Sequence, residues 1–150
     1  MIKKLSISIT IFFLLFLVDQ YIKFIFVNGF EAHSKCISLI LAYNKGVAFS
    51  MFAFLDGNLK YIQIALLSAG AIYLYFNKEV FSTYYIPIAL LGAGGISNIF
   101  DRFIHEGVVD YIYWHCWFDF AIFNISDIYI NIGVLFILIK SWRDSKKENS

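Results

Sequence analysis

Four apolar stretches, each long enough to cross a lipid bilayer, govern what this 150-residue chain can fold into. A transmembrane helix needs about 20 predominantly apolar residues. The stretches run from about Leu5 to Val27, Leu59 to Phe76, Tyr84 to Phe103 and Ala121 to Lys140. Between the first two lies a segment of about 28–58 with a different character. Charged residues make up 15% of the chain, against about a quarter in a soluble domain. The expected fold is a single membrane domain: an all-α bundle of four transmembrane helices with a small extracytoplasmic β-rich segment.

The first stretch follows Lys3 and Lys4, as the h-region of a signal peptide would. It is too long for an h-region, lacks an A-x-A-like cleavage site, and contains Asp19 and Lys23. It is therefore expected to remain as the first helix. Orientation follows from the basic residues in the flanks. Lys3, Lys4, Lys78, Lys140, Arg143, Lys146 and Lys147 share one side, while the opposite loops carry only Lys35 and Lys45. Both termini are thus expected in the cytoplasm.

The two outer segments differ. Residues 28–58 alternate aromatic and β-prone residues with glycine, which predicts a small sheet or hairpin at the membrane surface. The segment IHEGVVDYIYWHCWFDF holds two of the three tryptophans among tyrosines and phenylalanines, and is expected to lie as a loop along the interface. Each segment holds one of the two cysteines, Cys36 and Cys116, so a single bridge is left open. Their spacing implies neither a disulfide framework nor a redox motif. A net charge of +1 offers no electrostatic case for nucleic acid.

Ionisable groups in a bilayer are costly and mark function. Asp19 and Lys23 stand four apart on the first helix, in the favourable acid-before-base order. On the third, Asn98 and Arg102 share a face beside Asp101, one turn beyond the run GAGG (92–95), whose small residues suit close helix packing. On the fourth, Asn124, Asp127 and Asn131 line one face. Asp127 has three candidate partners: Arg102 for a structural pair, or Asp110 or Asp119 for a shared-proton carboxylate pair. Periodicity does not choose among them. His33, Cys36, His105, His115 and Cys116 show no HExxH or paired CxxC spacing, so a metal site is not expected. No nucleophile elbow or phosphate loop is present.

Taken in order, these residues resemble lipoprotein signal peptidase, also called signal peptidase II. VDQYIKF, with Asp19 and Lys23, is similar to the family's D-x-x-x-K. NKGVAFS (44–50) is similar to N-x-G-x-A-F-S, and SNIFDR, with Asn98, Asp101 and Arg102, to G-N-x-x-D-R. Asp110 in GVVDYI stands where one catalytic aspartate is expected. FNISD is similar to F-N-x-A-D, whose aspartate is Asp127 here. Ser97 and Ser126 replace the family's usual glycine and alanine, small for small.

The resemblance implies a membrane aspartyl endopeptidase of the bacterial cytoplasmic (inner) membrane, with its active site toward the outer face. Asp110 and Asp127 would form the catalytic dyad, and no metal or organic cofactor would be used. Asn44, Gly46, Asn98, Arg102 and Asn124 would bind substrate or position the dyad, with Asp19 and Lys23 in support. The substrate would be a prolipoprotein carrying diacylglycerol on its cysteine, cut on the N-terminal side of that cysteine. Residues 28–58 would cradle the signal peptide and the aromatic loop would close over the site. Membrane lipid and globomycin-like cyclic peptide inhibitors are further expected partners. Two rivals remain: a small transporter or proton relay, and a noncatalytic assembly subunit. The first would need polar groups across the whole membrane, whereas the inner halves of these helices are apolar. The second leaves Asp110 and Asp127 without a purpose.

Overall fold

The computed structural model describes residues 1–46 and 57–148. Four helices, α1 (Ile2–Val27), α2 (Leu59–Phe76), α3 (Lys78–Ile104) and α4 (Ile125–Glu148), are long and apolar enough to cross a membrane. A three-stranded antiparallel sheet, β1 (Ala32–His33), β2 (Ile37–Asn44) and β3 (Val108–Trp114), lies at one end of the bundle in the order β1-β2-β3. Of the motif NKGVAFS, residues 47–50 lie outside the described residues.

The bundle is built inside out relative to a soluble protein. Phe13, Leu17, Leu66 and Tyr75 stand exposed, as lipid-facing residues should. Alongside a few large residues such as Phe26 and Ile99, many buried positions are small or polar: Ala89, Ala93, Ser97, Asp19, Lys23 and Asp101. Without a hydrophobic drive between helices in lipid, association relies on close backbone approach and polar contacts. Helix α3 packs against the other three, and its GAGG run serves all of them. Gly92 faces Phe12 of α1, Gly95 faces Leu67 of α2, and Gly94 faces the Ser126 carbonyl and Ile130 of α4. At Gly94 a Cβ would lie 2.5 Å from that carbonyl oxygen, so only glycine fits.

Three boundaries depart from expectation. Helix α3 begins at Lys78 rather than near Tyr84, because two helical pieces join across a kink at Tyr84 (φ −118°, ψ 22°). Helix α4 begins at Ile125 rather than Ala121, and runs through the charged tail to Glu148. Just before it, Phe123 bridges Ile112 beyond the named strands. The aromatic segment expected as a loop contains β3, whose β-branched and aromatic residues pair with β2. That pairing joins residues far apart in sequence, so the short run alone did not reveal it. Cys36, just before β2, and Cys116, just beyond β3, form a disulfide at this edge of the sheet.

Candidate active site

Asn124 organises the site. It precedes the first residue of α4, and its Oδ1 accepts from the Asp127 backbone N–H at 2.9 Å. In return Asp127 Oδ2 accepts from the Asn124 backbone N–H at 3.1 Å. This reciprocal pair, at N-x-x-D spacing, is a capping box, and it satisfies two donors that a helix start leaves orphaned. It also sets the Asp127 carboxylate at the helix N-terminus, where the macrodipole favours negative charge.

The Asn124 side chain reaches outward from this cap. Its Nδ2 donates to Asp110 Oδ1 at 2.7 Å, and Asn44 Nδ2 donates to Asp110 Oδ2 at 3.0 Å. Asp110 sits mid-strand in β3, opposite Ala42 of β2, and is buried. Burial first, and then the neighbouring Asp127 charge, push its carboxyl up from 3.8 to about 7, against the Asn44 and Asn124 amides and the Lys23 charge, which act the other way. Asp119 does not join this pair. It is exposed and accepts from the Tyr113 hydroxyl at 2.8 Å.

Behind the two carboxyl groups lies a buried ionic network. Lys23 Nζ is 2.8 Å from Asp19 and 2.7 Å from Asp101, and donates to Asn98 Oδ1 at 2.9 Å. Because Asn98 Oδ1 is held by the ammonium, its Nδ2 is turned to donate to Asp127 Oδ1 at 2.9 Å. Asp19 also accepts from Ser97 Oγ at 2.5 Å and from the Ser126 N–H at 3.2 Å. The expected i, i+4 pair of Asp19 and Lys23 is therefore one arm of a four-residue cluster. It is buried in the bundle. Asp101 Oδ2 also accepts from the Val109 N–H, tying α3 to β3.

Arg102 does not turn to Asp127. Its Nε donates to Gln63 Oε1 at 3.0 Å, its Nη1 to the Asn44 carbonyl at 3.0 Å, and its Nη2 to the Gly46 carbonyl. The guanidinium thus clamps the end of β2, where Gly46 N donates to Asn44 Oδ1 at 3.0 Å. Gln63 is a partner that sequence reasoning missed; its one signal is an amide within the apolar run of α2.

Asn44, Gly46, Asn98, Arg102, Asp110 and Asp127 converge on one cleft of about 420 Å³, a size suited to a ligand site. Phe120, Phe123, Ile128 and Ile130 form its apolar wall, and Asn131 extends its polar side along α4. Asn124 reaches it only from beneath, through the carboxyl groups. Two carboxyls in one partly dry cleft can share a proton, and so present an acid and a base at once. A larger cleft, of about 570 Å³, lies between the opposite ends of α3 and α4 and presents no such pair.

The sequence matches the family described as Signal peptidase (SPase) II over residues 11–143. It is 49% identical over 142 residues to a lipoprotein signal peptidase of Sulfurimonas denitrificans, covering 95% of this chain and 92% of that protein. A lipoprotein signal peptidase of Helicobacter pylori is 45% identical over 147 residues, covering 98% of this chain and 94% of the relative. Among solved structures, a bacterial membrane enzyme determined by the in meso method at 2.3 Å resolution superposes with a TM-score of 0.80. It is 27% identical, with 95% of this chain and 91% of that one covered.

Proposed function

The chain belongs to the signal peptidase II family, and from that membership we propose that it removes signal peptides from diacylglyceryl-modified bacterial prolipoproteins by aspartyl chemistry. It is a multi-pass membrane peptidase. The proposed cut falls on the N-terminal side of the lipidated cysteine. The observation that supports the aspartyl reading is the Asn124 side chain, which bonds Asp110 while its own backbone N–H holds Asp127. One residue thereby donates to two carboxyls from distant elements, through its side-chain amide and its backbone N–H.

In this reading Asp110, with its raised carboxyl, holds the shared proton, and Asp127 takes a proton from the attacking water. Asp110 then gives its proton to the leaving nitrogen as the peptide bond breaks. Arg102 keeps Asn44 and Gly46 at the rim, where the substrate backbone would pass. The diacylglyceryl group would lie in lipid against the apolar wall; each buried CH₂ contributes about 0.8 kcal/mol, so the lipid would supply much of the binding. A globomycin-like cyclic peptide would compete for the same cleft. The basic residues at the far end of the bundle support a cytoplasmic-membrane topology with both termini inside.

The test is cleavage of a lipidated precursor by the purified protein, against the same precursor without diacylglycerol. The unlipidated form should be cut poorly or not at all, and equal cleavage of both would sink the assignment. Asp110→Asn and Asp127→Asn should each abolish cleavage, Asp119→Asn should leave most of it, and Arg102→Lys should fall between, keeping the charge but losing the planar fork. Inhibition by a chelator would instead point to metal chemistry.

A further inference from the structure

The larger cleft lies where α3 and α4 part company. Gly133 keeps the two helices close: a Cβ there would come within 3.1 Å of the Pro87 carbonyl oxygen. Toward the chain termini α3 bends at Tyr84, and Pro87 lacks the N–H that would bond the Thr83 carbonyl one turn earlier. Lys140 of α4 reaches across and donates to that freed carbonyl at 2.9 Å, with its ammonium over the Tyr84 ring. Between these contacts opens the space of about 570 Å³.

Its lining is amphiphilic in an ordered way. Lys140, Arg143 and Lys147 recur at i, i+3 and i+7, so one face of α4 presents three cations to the mouth, opposed by the single carboxylate of Asp144. None of the three is in an ion pair among the described residues, where the pairs are Lys23 with Asp19 and Asp101, and His33 with Glu31. Below the mouth, toward the middle of the helices, the wall becomes Ile86, Pro87, Phe136 and Ile139. Phe136 and Ile139 are 51% and 44% exposed. Tyr85, in the lining, is a residue type of the headgroup level.

We propose that this cleft binds one anionic phospholipid of the adjoining leaflet, its phosphodiester held by Lys140, Arg143 and Lys147 and an acyl chain laid along Pro87 and Phe136. A free anion would use the cations and leave the apolar wall idle; a zwitterionic lipid would use the wall and carry its own compensating cation. Only an anionic lipid matches both halves. Basic pockets between transmembrane helices are suited to acidic headgroups. The bound lipid would brace α3 against α4 at the end remote from Asp110 and Asp127.

The experiment is native mass spectrometry of the full chain released from micelles containing phosphatidylglycerol, phosphatidylcholine, or both. Wild type should retain one phosphatidylglycerol in preference to phosphatidylcholine, and added inorganic phosphate should not displace it. Arg143→Gln combined with Lys147→Gln spares the Lys140 contact. At ~5-fold per basic residue, this pair should weaken retention by ~25-fold. Asp127→Asn, at the other end, should leave retention unchanged. Equal retention of the two lipids, displacement by phosphate, undiminished retention in the double variant, or loss of retention in Asp127→Asn would each overturn the proposal. The double variant should keep its lipid-free unfolding temperature, so that lost retention reads as lost binding; a collapsed unfolding temperature would make the face structural and overturn it as well.

Discussion

Asp110→Asn should abolish cleavage and yet make the protein more stable at alkaline pH. Its folded carboxyl titrates at about 7 rather than 3.8, chiefly through burial. The folded state therefore holds this proton more tightly than the unfolded chain, and ionisation favours unfolding. The cost is absent below about pH 4, grows by about 1.4 kcal/mol per pH unit, and levels off above about pH 7 at roughly 4 kcal/mol. Asparagine does not titrate and is spared it. An amide, however, offers one acceptor oxygen where Asp110 offers two to Asn44 and Asn124. One donor is then left facing an N–H₂, at a cost of about 1–3 kcal/mol. The variant should accordingly be less stable than wild type near pH 4 and more stable above about pH 7. For a chain of this length the swing in midpoint is on the order of 10 °C. Thermal unfolding of both proteins in one detergent across that range measures it, with peptidase activity followed in parallel. Wild-type activity should fall as pH rises through about 7, where the shared proton is lost. A difference in midpoint that does not change with pH, or a larger swing in Asp119→Asn, would refute the reasoning.

Other perturbations test the scaffold. Lys23→Met leaves the buried carboxylates of Asp19 and Asp101 without their cation and should cost about 3–5 kcal/mol by thermal unfolding; stability close to wild type would deny the cluster a structural role. Gly94→Ala sets a Cβ 2.5 Å from the Ser126 carbonyl oxygen and 2.8 Å from Ile130. It should part α3 from α4, lower stability by about 1–3 kcal/mol and impair cleavage. Gly70→Ala, with nothing within 4 Å of the added carbon, is the silent control. New cysteines beside Lys78 and Lys146 should resist an impermeant thiol reagent in intact cells while one beside Lys45 reacts; labelling at Lys78 would overturn the four-span topology.

What the sequence determined by itself was the architecture and the chemistry on offer. A bilayer requires about 20 apolar residues per helical span, and that demand writes the spans into local composition. Polar groups are so costly among such residues that Asp19, Lys23, Asn98, Arg102 and Asp127 stood out as soon as the spans were drawn. The start of α4 was less legible, because Ala121–Phe123 are as apolar as a helix turn, yet Phe123 bridges Ile112 of β3. The N-x-x-D spacing from Asn124 to Asp127 marks the true start through side-chain-to-backbone bonds, which apolarity does not register.

Tertiary structure alone decided the partners. Residues 110 and 119 are two acids of one aromatic segment, with little local difference between them. The β2–β3 register, which sets Asp110 opposite Ala42 and beneath Asn44, separates them, and that register depends on residues some 66 positions apart in sequence. Helical spacing linked Lys23 to Asp19, but Asp101 and Asn98 reach it only because small residues let α3 lie against α1. Arg102 could have answered Asp127; instead it clamps the carbonyls at the end of β2, with Gln63 from a third helix filling its fork. Burial and span length are averages over neighbours in sequence, so they survive in a one-dimensional reading. A hydrogen bond depends on distances of about 3 Å between particular atoms, and only the packed bundle supplies those.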